Sequence, residues 1–306
     1  MKIPTVLLLT AATLAASLFP NPLAAQPSSN VHVWVTGLNG PRGLKFGSDG
    51  KLYVAESGTG GTNSAKGSCP QVIAPVGPYE GGNTSRILSF NSAGTRTIVA
   101  SGFPSTIDSM GDILGVRDLA FMDGTLYALE GVGGCSHGDS MPNGLYSVNT
   151  KPGSWKLVAN LSHFIQTHMV KYPNPPDFEP DGTFCSMVEF NNRLNAVEPN
   201  HGQIVSIGAD GSMASVMDVS ASEGHIVPTA ITARDGQLYL GNLNQFPIEP
   251  NYARILTLDY AECSQVAAPG LDDTGAITQP ACPLVEGWFY HRGRNRLWPR
   301  RPSLCP

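Results

Sequence analysis

Residues 40–58 read Gly-Pro-Arg-Gly-Leu-Lys-Phe-Gly-Ser-Asp-Gly-Lys-Leu-Tyr-Val-Ala-Glu-Ser-Gly. Apolar and polar residues alternate towards residue 46, and residues 52–54 are β-favouring types. The turn at residues 48–50 ends on a glycine, which is free to take the positive φ that a tight hairpin needs. The stretch therefore predicts a β-hairpin, with the carboxylate of Glu56 at the end of its second strand.

The same order of residue types occurs three more times, at residues 116–130, 185–198 and 228–242. Each copy has two β-favouring segments around a turn of Asp-Gly or Asn-Asn. Two more β-favouring segments follow each hairpin, as at residues 86–90 and 95–100. Four-stranded units repeated around an axis are the blades of a propeller. The sequence thus predicts an all-β propeller with about four recognisable four-stranded blades.

The two ends of the propeller follow different patterns. Residues 31–35 alternate and are predicted to be an N-terminal strand that closes the ring by joining the last blade. The repeat stops after about Gly270, so the propeller is expected to be incomplete. An insertion at residues 159–183 is predicted to contain a short helix at residues 161–169.

Three segments are expected along the chain. Residues 1–25 are predicted to be a cleaved signal peptide, because a lysine, an apolar run and small residues before Gln26 follow one another. Residues 26–270 form the propeller domain. Residues 271–306 form an atypical tail rich in arginine and proline, expected to be poorly ordered. It is either the product of a frameshift or a native basic tail.

Composition and charge restrict the classes of partner and the cellular compartment that fit this protein. The net charge of −5 argues against a nucleic-acid partner, and the apolar N-terminal run is too short to favour a permanent membrane span. We expect a monomer in the periplasm or outside the cell, with no membrane contact after signal cleavage. Disulfides persist in such oxidising compartments. Cys69 and Cys135 occupy equivalent long loops of adjacent blades and are the predicted pair.

The predicted strand directions sort polar residues onto two faces. The tight turns of the hairpins lie on one face, here called the turn face. The starts of the first strands, the ends of the second strands and the long loops lie on the other, here called the loop face. A mouth lined by convergent polar groups is the default binding site. The predicted ligand-binding residues are Arg42, Glu56, Asp118, Glu130, His137, Glu198, His201, His225 and Asn242.

The repeated acidic positions allow two interpretations. Glu56, Glu130, Glu198 and Asn242 could form a ring of oxygen ligands for a polyol or for a divalent cation such as calcium. Alternatively, each carboxylate accepts hydrogen bonds from backbone N–H groups of its own loop, or pairs with a nearby arginine such as Arg42 or Arg117. A position that recurs in every blade favours the structural interpretation.

The three histidines of the loop face are also open to two interpretations. His137, His201 and His225 could bind a transition metal or transfer protons beside a carboxylate. Alternatively, each one anchors its own loop through a hydrogen bond. None of them has a compact metal-ligand spacing to another histidine.

Several longer phrases go beyond a generic propeller. They are Gly-Thr-Gly-Gly-Thr-Asn-Ser (58–64), Gly-Pro-Tyr-Glu-Gly-Gly-Asn-Thr-Ser-Arg-Ile (77–87), Phe-Glu-Pro-Asp-Gly-Thr-Phe (178–184), Val-Glu-Pro-Asn-His-Gly (197–202), Gly-His-Ile-Val-Pro-Thr-Ala (224–230) and Gly-Asn-Leu-Asn-Gln-Phe-Pro-Ile (241–248). Over roughly residues 31–270 the chain resembles the ScyD/ScyE family of secreted bacterial NHL-like propellers. The resemblance implies a six-bladed propeller and no particular reaction.

Two function classes fit these observations. The first is a secreted propeller without catalytic residues that binds a small polar ligand or a protein through the loop face. The alternative is an extracytoplasmic metal-dependent hydrolase or lactonase that uses the same face. The chain contains no nucleophile elbow, phosphate loop or dinucleotide fingerprint.

Overall fold

The fold is all-β and is built from four consecutive antiparallel sheets. The computed structural model describes residues 28–151, 153–173, 178–245 and 250–259, and the backbone of residues 270–271 and 277–278. The chain divides into two units, Met1–Thr36 and Gly37–Pro306. The four sheets lie in the second unit and are arranged as blades of a β-propeller. The fold class predicted from the repeat is therefore confirmed.

Each sheet starts at an inner hairpin and adds strands outwards. The first blade contains β1 (Pro41–Phe46), β2 (Leu52–Glu56), β3 (Asn63–Ser64), β4 (Glu80–Phe90), β5 (Arg96–Ile107) and β6 (Ile113–Leu114). The second contains β7 (Val116–Met122), β8 (Thr125–Glu130), β9 (Gly144–Asn149) and β10 (Ser154–Asn160). The third contains β11 (Ser186–Phe190), β12 (Arg193–Glu198), β13 (Gln203–Ile207) and β14 (Met213–Asp218). The fourth contains β15 (Pro228–Arg234), β16 (Gln237–Asn242) and β17 (Ile255–Asp259).

The connections contain short helices, one of which the sequence predicts. The helix α1 (Leu161–Thr167) lies within the insertion, as expected. A 3₁₀ turn covers Cys135–His137, and a second helix, α2 (Val219–Glu223), was not predicted. The side chain of Asp218 caps α2 by accepting a bond of 3.0 Å from the Ala221 N–H.

The inner hairpins turn as their sequences predict. Both turn residues have positive φ in three of them, namely Asp123–Gly124, Asn191–Asn192 and Asp235–Gly236. This is the type I′ geometry, whose twist matches that of the flanking strands. Asn, Asp and Gly tolerate it best, which explains why these residues recur at the repeat. All four tight turns lie at the end of the blade opposite the long loops.

Three hydrophobic cores lie between neighbouring blades. The inner strands β1, β7, β11 and β15 contact one another in that order. One core joins blades 1 and 2, with Ile87 and Leu119 fully buried. The second joins blades 2 and 3, including Leu194 and the apolar face of α1. The third joins blades 3 and 4. Each blade therefore buries one face of its sheet against the next.

The prediction of an N-terminal strand at residues 31–35 is wrong. Residues 31–35 form no strand, and the side chains of Val31 and Val33 are 71% and 81% exposed. Alternation alone does not make a strand, because each backbone N–H and C=O group also needs a partner in a ladder. The described backbone contains a turn here, in which the Val31 N–H donates to the Ser28 carbonyl at 3.2 Å.

Other sequence predictions fall outside the part of the chain that the structure describes. These are the signal peptide at residues 1–25, the outermost strand expected of a four-stranded fourth blade and most of the tail at residues 271–306. At the start of that tail, the backbone of β18 (Gly270–Leu271) pairs with that of β19 (Ile277–Thr278).

Candidate functional site: the loop face

A β-bulge opens the inner strand of three blades at the loop face. Pairing of β1 with β2 steps from Pro41–Glu56 to Leu44–Val54, and pairing of β7 with β8 steps from Val116–Glu130 to Asp118–Leu129. The fourth blade has the same shift next to Thr229, whereas the third blade starts without one. An extra residue in a strand re-aims its side chain, and bulges are common beside binding sites. Arg42 and Arg117 are the bulge residues of blades 1 and 2.

Arg117 has few partners for a guanidinium group. Its Nη2 donates to the sulfur of Cys185 at 3.8 Å, and its Nε is buried without a hydrogen-bond partner among the described residues. Cys185 lies just before β11, so this contact bridges blades 2 and 3. Burial raises the pKa of the Cys185 thiol, and the charges of Arg117 and Arg42 partly oppose that rise. The sulfur is therefore a weak, largely neutral acceptor.

Arg42 lies in the same neighbourhood. Its Nη2 donates to the Ile113 carbonyl at 3.0 Å and its Nε to the Ser57 hydroxyl at 3.3 Å. Burial and the positive charge of Arg117 lower the pKa of Arg42, while Asp112 acts in the opposite direction. Neither Arg42 nor Arg117 forms an ion pair with any described residue.

Two of the repeated carboxylates are used by the protein itself. Glu56 accepts a bond of 2.6 Å from the Asn39 N–H and pairs with Arg86. Glu56 pairs with Arg86 rather than with Arg42 or Arg117, because Arg86 lies directly opposite Glu56 on β4. Glu198 accepts bonds from the Thr183 N–H at 2.9 Å and the His201 N–H at 2.6 Å. Both are fully buried.

Glu130 differs from its two counterparts. Its Oε1 accepts a bond of 3.1 Å from the Val132 N–H, but its Oε2 is buried without a partner among the described residues. Burial raises the pKa of Glu130 to about 8, against the opposing effects of the backbone N–H groups and Arg117. At neutral pH this carboxyl is mostly protonated, so it leaves the charge of Arg117 largely uncompensated.

These positions do not fit a ring of cation ligands. The oxygens of Glu56 and Glu198 are occupied by protein donors, and Asn242 Oδ1 accepts from the Arg254 N–H at 2.6 Å. In the described part of the chain, no group of three or more His, Cys, Asp or Glu side chains could hold a metal ion. For these carboxylates the geometry matches the alternative interpretation, in which they anchor loops.

His137 belongs to a buried network drawn from three blades. Its Nδ1 lies 2.9 Å from the Gly133 carbonyl and its Nε2 lies 3.1 Å from Glu179 Oε2. Glu179 also accepts bonds from the Tyr79 hydroxyl at 3.4 Å and from Thr183 Oγ1. The ring of Tyr79 packs against the imidazole of His137 at 4.8 Å. The network therefore ties the long loops of blades 1 and 2 to the segment before blade 3.

His201 forms the second imidazole–carboxylate pair. Its Nδ1 lies 3.0 Å from Glu198 Oε2. Burial lowers the pKa of His201, but the charge and hydrogen bond of Glu198 outweigh burial and raise it. Burial likewise raises the pKa of Glu198, but His201 and the loop N–H groups outweigh it and lower the pKa. The pair fixes the loop at residues 198–202, and Phe178 packs edge-on against the imidazole.

The remaining predicted residues hold neighbouring elements together. Asp118 accepts bonds from the Ser186 hydroxyl at 3.2 Å and the Met187 N–H at 2.9 Å, which links β7 to β11. Asn242 donates to the Ile226 carbonyl at 3.1 Å. His225 is half-buried in the loop between α2 and β15. Among the described residues, the hydrogen bonds of Asp118 and Asn242 go to partners other than the bulge arginines, so the predicted site residues do not form one cluster.

The disulfide between Cys69 and Cys135 is present, as predicted. It joins the long loop of blade 1 to the 3₁₀ turn that carries His137. The Cα atoms are 6.2 Å apart. The crosslink therefore holds together two loops of the loop face that also contribute Tyr79 and His137 to the buried network.

Sequence reasoning missed several members of this region. Tyr79, Glu179, Thr183 and Cys185 were not among the predicted site residues. The phrases at residues 77–87 and 178–184 contain three of them and were the available signal. The turn face carries a groove of about 800 Å³ between blades 1 and 2, lined in part by Lys51 and Tyr53.

The fold and the loop face define a β-propeller with a polar, loop-covered mouth. No protein-family model matches the chain, and no curated protein matches its sequence. Among solved structures it is similar to a luciferin-regenerating enzyme, with a TM-score of 0.40, 10% identity and coverage of 70% of this chain and 59% of that one. It is also similar to streptogramin B lyase, with a TM-score of 0.32, 13% identity and coverage of 72% and 69%.

A third similar structure is virginiamycin B lyase from Staphylococcus aureus with quinupristin, with a TM-score of 0.30, 13% identity and coverage of 78% and 89%. The luciferin-regenerating enzyme and streptogramin B lyase are both β-propellers. This chain spans less than two thirds of the luciferin-regenerating enzyme. At these levels of identity and superposition, the similarities carry no argument about activity.

Proposed function

We propose that this protein is a secreted propeller that binds a small polar ligand through its loop face, as the ScyD/ScyE resemblance also allows. The observation that carries the proposal is the guanidinium of Arg117, which is half-buried, lacks an ion pair among described residues and has one weak acceptor. A partly buried cationic donor without acceptors costs free energy unless water or a ligand accepts its hydrogen bonds. The site therefore keeps hydrogen-bonding capacity that the fold does not use.

The surroundings of Arg117 support a ligand-binding role. The loops of the same face are fixed by the Cys69–Cys135 disulfide and by the hydrogen bonds of Glu179 and Glu198. A preorganised scaffold lowers the entropy cost of binding. The disulfide is compatible with a periplasmic or extracellular location. In the described residues, no helix has the length and apolar character needed to cross a bilayer.

The alternative of an extracytoplasmic metal-dependent hydrolase or lactonase receives less support. Its cation would need carboxylate oxygens at the mouth, and those of Glu56 and Glu198 already accept bonds from protein donors. The groove on the turn face also supports binding less well, because Lys51 there is paired with Asp49 at 3.0 Å. The loop face therefore has a cationic group without an ion-pair partner among the described residues, whereas the cation of the groove is paired, and this favours the loop face as the binding site.

A thermal-shift screen tests the proposal. The purified secreted protein is heated with separate sugars, amino acids, hydroxy acids and nucleotides, alongside the variants Arg42→Glu and Lys51→Glu. Both variants reverse the charge of one cation of blade 1, at opposite ends of the blade. We expect at least one compound to raise the Tm of the wild type and of Lys51→Glu, but not that of Arg42→Glu.

Two outcomes would contradict the proposal. The first is that no compound in the screen raises the Tm of the wild type. The second is that stabilisation survives in Arg42→Glu and disappears in Lys51→Glu, which would assign binding to the groove on the turn face.

A further inference from the structure

We infer that Arg42 and Arg117 act as a clamp for an oxyanion, either a carboxylate or a phosphate group of the ligand. This inference rests on the proposed function and names the chemical class of the ligand. It starts from the backbone, because equivalent bulges in neighbouring blades each place one arginine at the start of an inner strand. The inner strands β1 and β7 contact each other, so the two arginines come from adjacent strands.

The pair carries positive charge, and neither arginine forms an ion pair with a described carboxylate. Two nearby guanidinium groups repel each other because both are positively charged. An anion that lies between them offsets this repulsion. The carboxylate of Asp118, next to Arg117 in sequence, is used by three donors: the N–H groups of Leu119 and Met187 and the hydroxyl of Ser186. Glu130 is mostly protonated at neutral pH and adds little negative charge.

Asp112 is an acid whose charge raises the pKa of Arg42. It acts on Arg42, where its effect on the pKa is smaller than those of burial and of Arg117. It forms no ion pair with either arginine in the described structure. Asp112 therefore compensates neither guanidinium charge through a direct contact.

Each guanidinium group keeps N–H donors that no described residue uses. Arg117 uses Nη2 for Cys185 and leaves Nε and Nη1 free of described partners, while Arg42 leaves Nη1 free. The planar fork of a guanidinium pairs with two oxygens of a carboxylate or phosphate at once. Gly131 leaves room for the stem of Arg117, since a Cβ at residue 131 would lie 2.7 Å from Arg117 Cγ and nearer still to the Phe184 carbonyl. A neutral polyol would leave the charge uncompensated.

Calorimetric titration with three related compounds tests the clamp. D-glucose is neutral, D-gluconate carries a carboxylate and D-glucose 6-phosphate carries a phosphate. At low ionic strength we expect one or both anions to bind at least about tenfold more tightly than glucose, which follows from the greater strength of charge-assisted bonds. Which anion binds more tightly separates the carboxylate from the phosphate.

Variants of the two arginines complete the test. Arg117→Met and Arg42→Met should each weaken anion binding by roughly 10- to 100-fold, because each removes charge-assisted bonds. Arg117→Lys should retain part of the affinity, since it keeps the charge and loses the fork. Arg234→Met is the matched control, because Arg234 is 81% exposed beside the turn of the fourth blade, and it should bind like the wild type. Thermal unfolding confirms that each variant is folded.

The failures are distinguishable. If glucose binds as tightly as both anions and Arg117→Met weakens it equally, the loop face binds a ligand but the clamp is wrong. If an anion binds and the folded Arg117→Met and Arg42→Met variants retain wild-type affinity, the anion binds elsewhere and the clamp is also wrong. If neither anion binds at millimolar concentration, the clamp is wrong, and the proposed function then depends on the thermal-shift screen alone.

Discussion

Three glutamates occupy the same position of the repeat and have three different environments. Glu56 is paired with Arg86, Glu198 is held by loop N–H groups and His201, and Glu130 keeps one oxygen without a described partner. The repeat imposes the residue type and its burial, since all three side chains are fully buried. The partner of each carboxylate then differs between the blades, because Glu56 meets an arginine of the next strand, whereas Glu130 and Glu198 accept bonds from groups of their neighbouring loops.

Glu130→Gln should change how stability depends on pH. The folded pKa of Glu130 is about 8, above the ordinary value of 4.5. The folded state therefore binds this proton more tightly than the unfolded state, and stability declines as pH rises from about 4.5 to about 8. We expect urea unfolding to show that, as pH rises from 5 to 8.5, the free energy of unfolding of the variant increases by on the order of 1–4 kcal/mol relative to that of the wild type. Glu189→Gln, at an exposed position of β11, is the control. Parallel stability curves for wild type and Glu130→Gln would disprove the assignment.

Asp118→Ala should weaken the junction of blades 2 and 3. The carboxylate of Asp118 is 9% exposed and accepts bonds from Ser186 and Met187 of the next blade. Leaving those donors unpaired should cost about 2–4 kcal/mol in the free energy of unfolding, measured by urea denaturation. Asp49→Ala removes an exposed carboxylate at the turn face and should cost less than about 1 kcal/mol. Equal losses in the two variants would mean that Asp118 has no bridging role.

At the scale of elements, local patterns predicted the inner hairpins and failed where pairing depends on the backbone alone. Residues 80–85 of β4 have no apolar alternation, yet they pair with β5 and β3. Residues 31–35 alternate well and have no ladder. The loop face followed from strand direction, but the partner of Glu56 did not, since the register of β2 against β4 follows a long loop. The bulges were invisible in sequence, because one extra residue leaves the hairpin pattern intact.

The disulfide between Cys69 and Cys135 stabilises two connections rather than a blade. It closes a loop with a sequence separation of 66, for which chain entropy alone gives about 4 kcal/mol, and measured values are typically 2–4 kcal/mol. We expect dithiothreitol to lower the Tm of the wild type and to leave the Tm of the double variant Cys69→Ser/Cys135→Ser unchanged. A double variant that unfolds at the wild-type Tm without reductant would show that the crosslink adds no stability.

At the scale of the whole molecule, the cores lie between the blades, so stability is shared by neighbours. Leu194 is fully buried in the core that joins blades 2 and 3, whereas Ile255 on β17 is 71% exposed. Leu194→Ala should cost about 2–5 kcal/mol in the free energy of unfolding, and Ile255→Ala less than about 0.5 kcal/mol.

Hydrogen exchange measures which sheets lose stability in Leu194→Ala. A core shared by two sheets loses packing on both sides, so amides of β7–β10 and of β11–β14 should exchange faster together. Ile255→Ala is the matched control and should leave the exchange of both sheets unchanged. If only β11–β14 exchange faster in Leu194→Ala, the blades open independently, and the shared core does not couple them. Coupled opening would instead mean that a ligand held between bulges of adjacent blades stabilises the propeller well beyond the strands it touches.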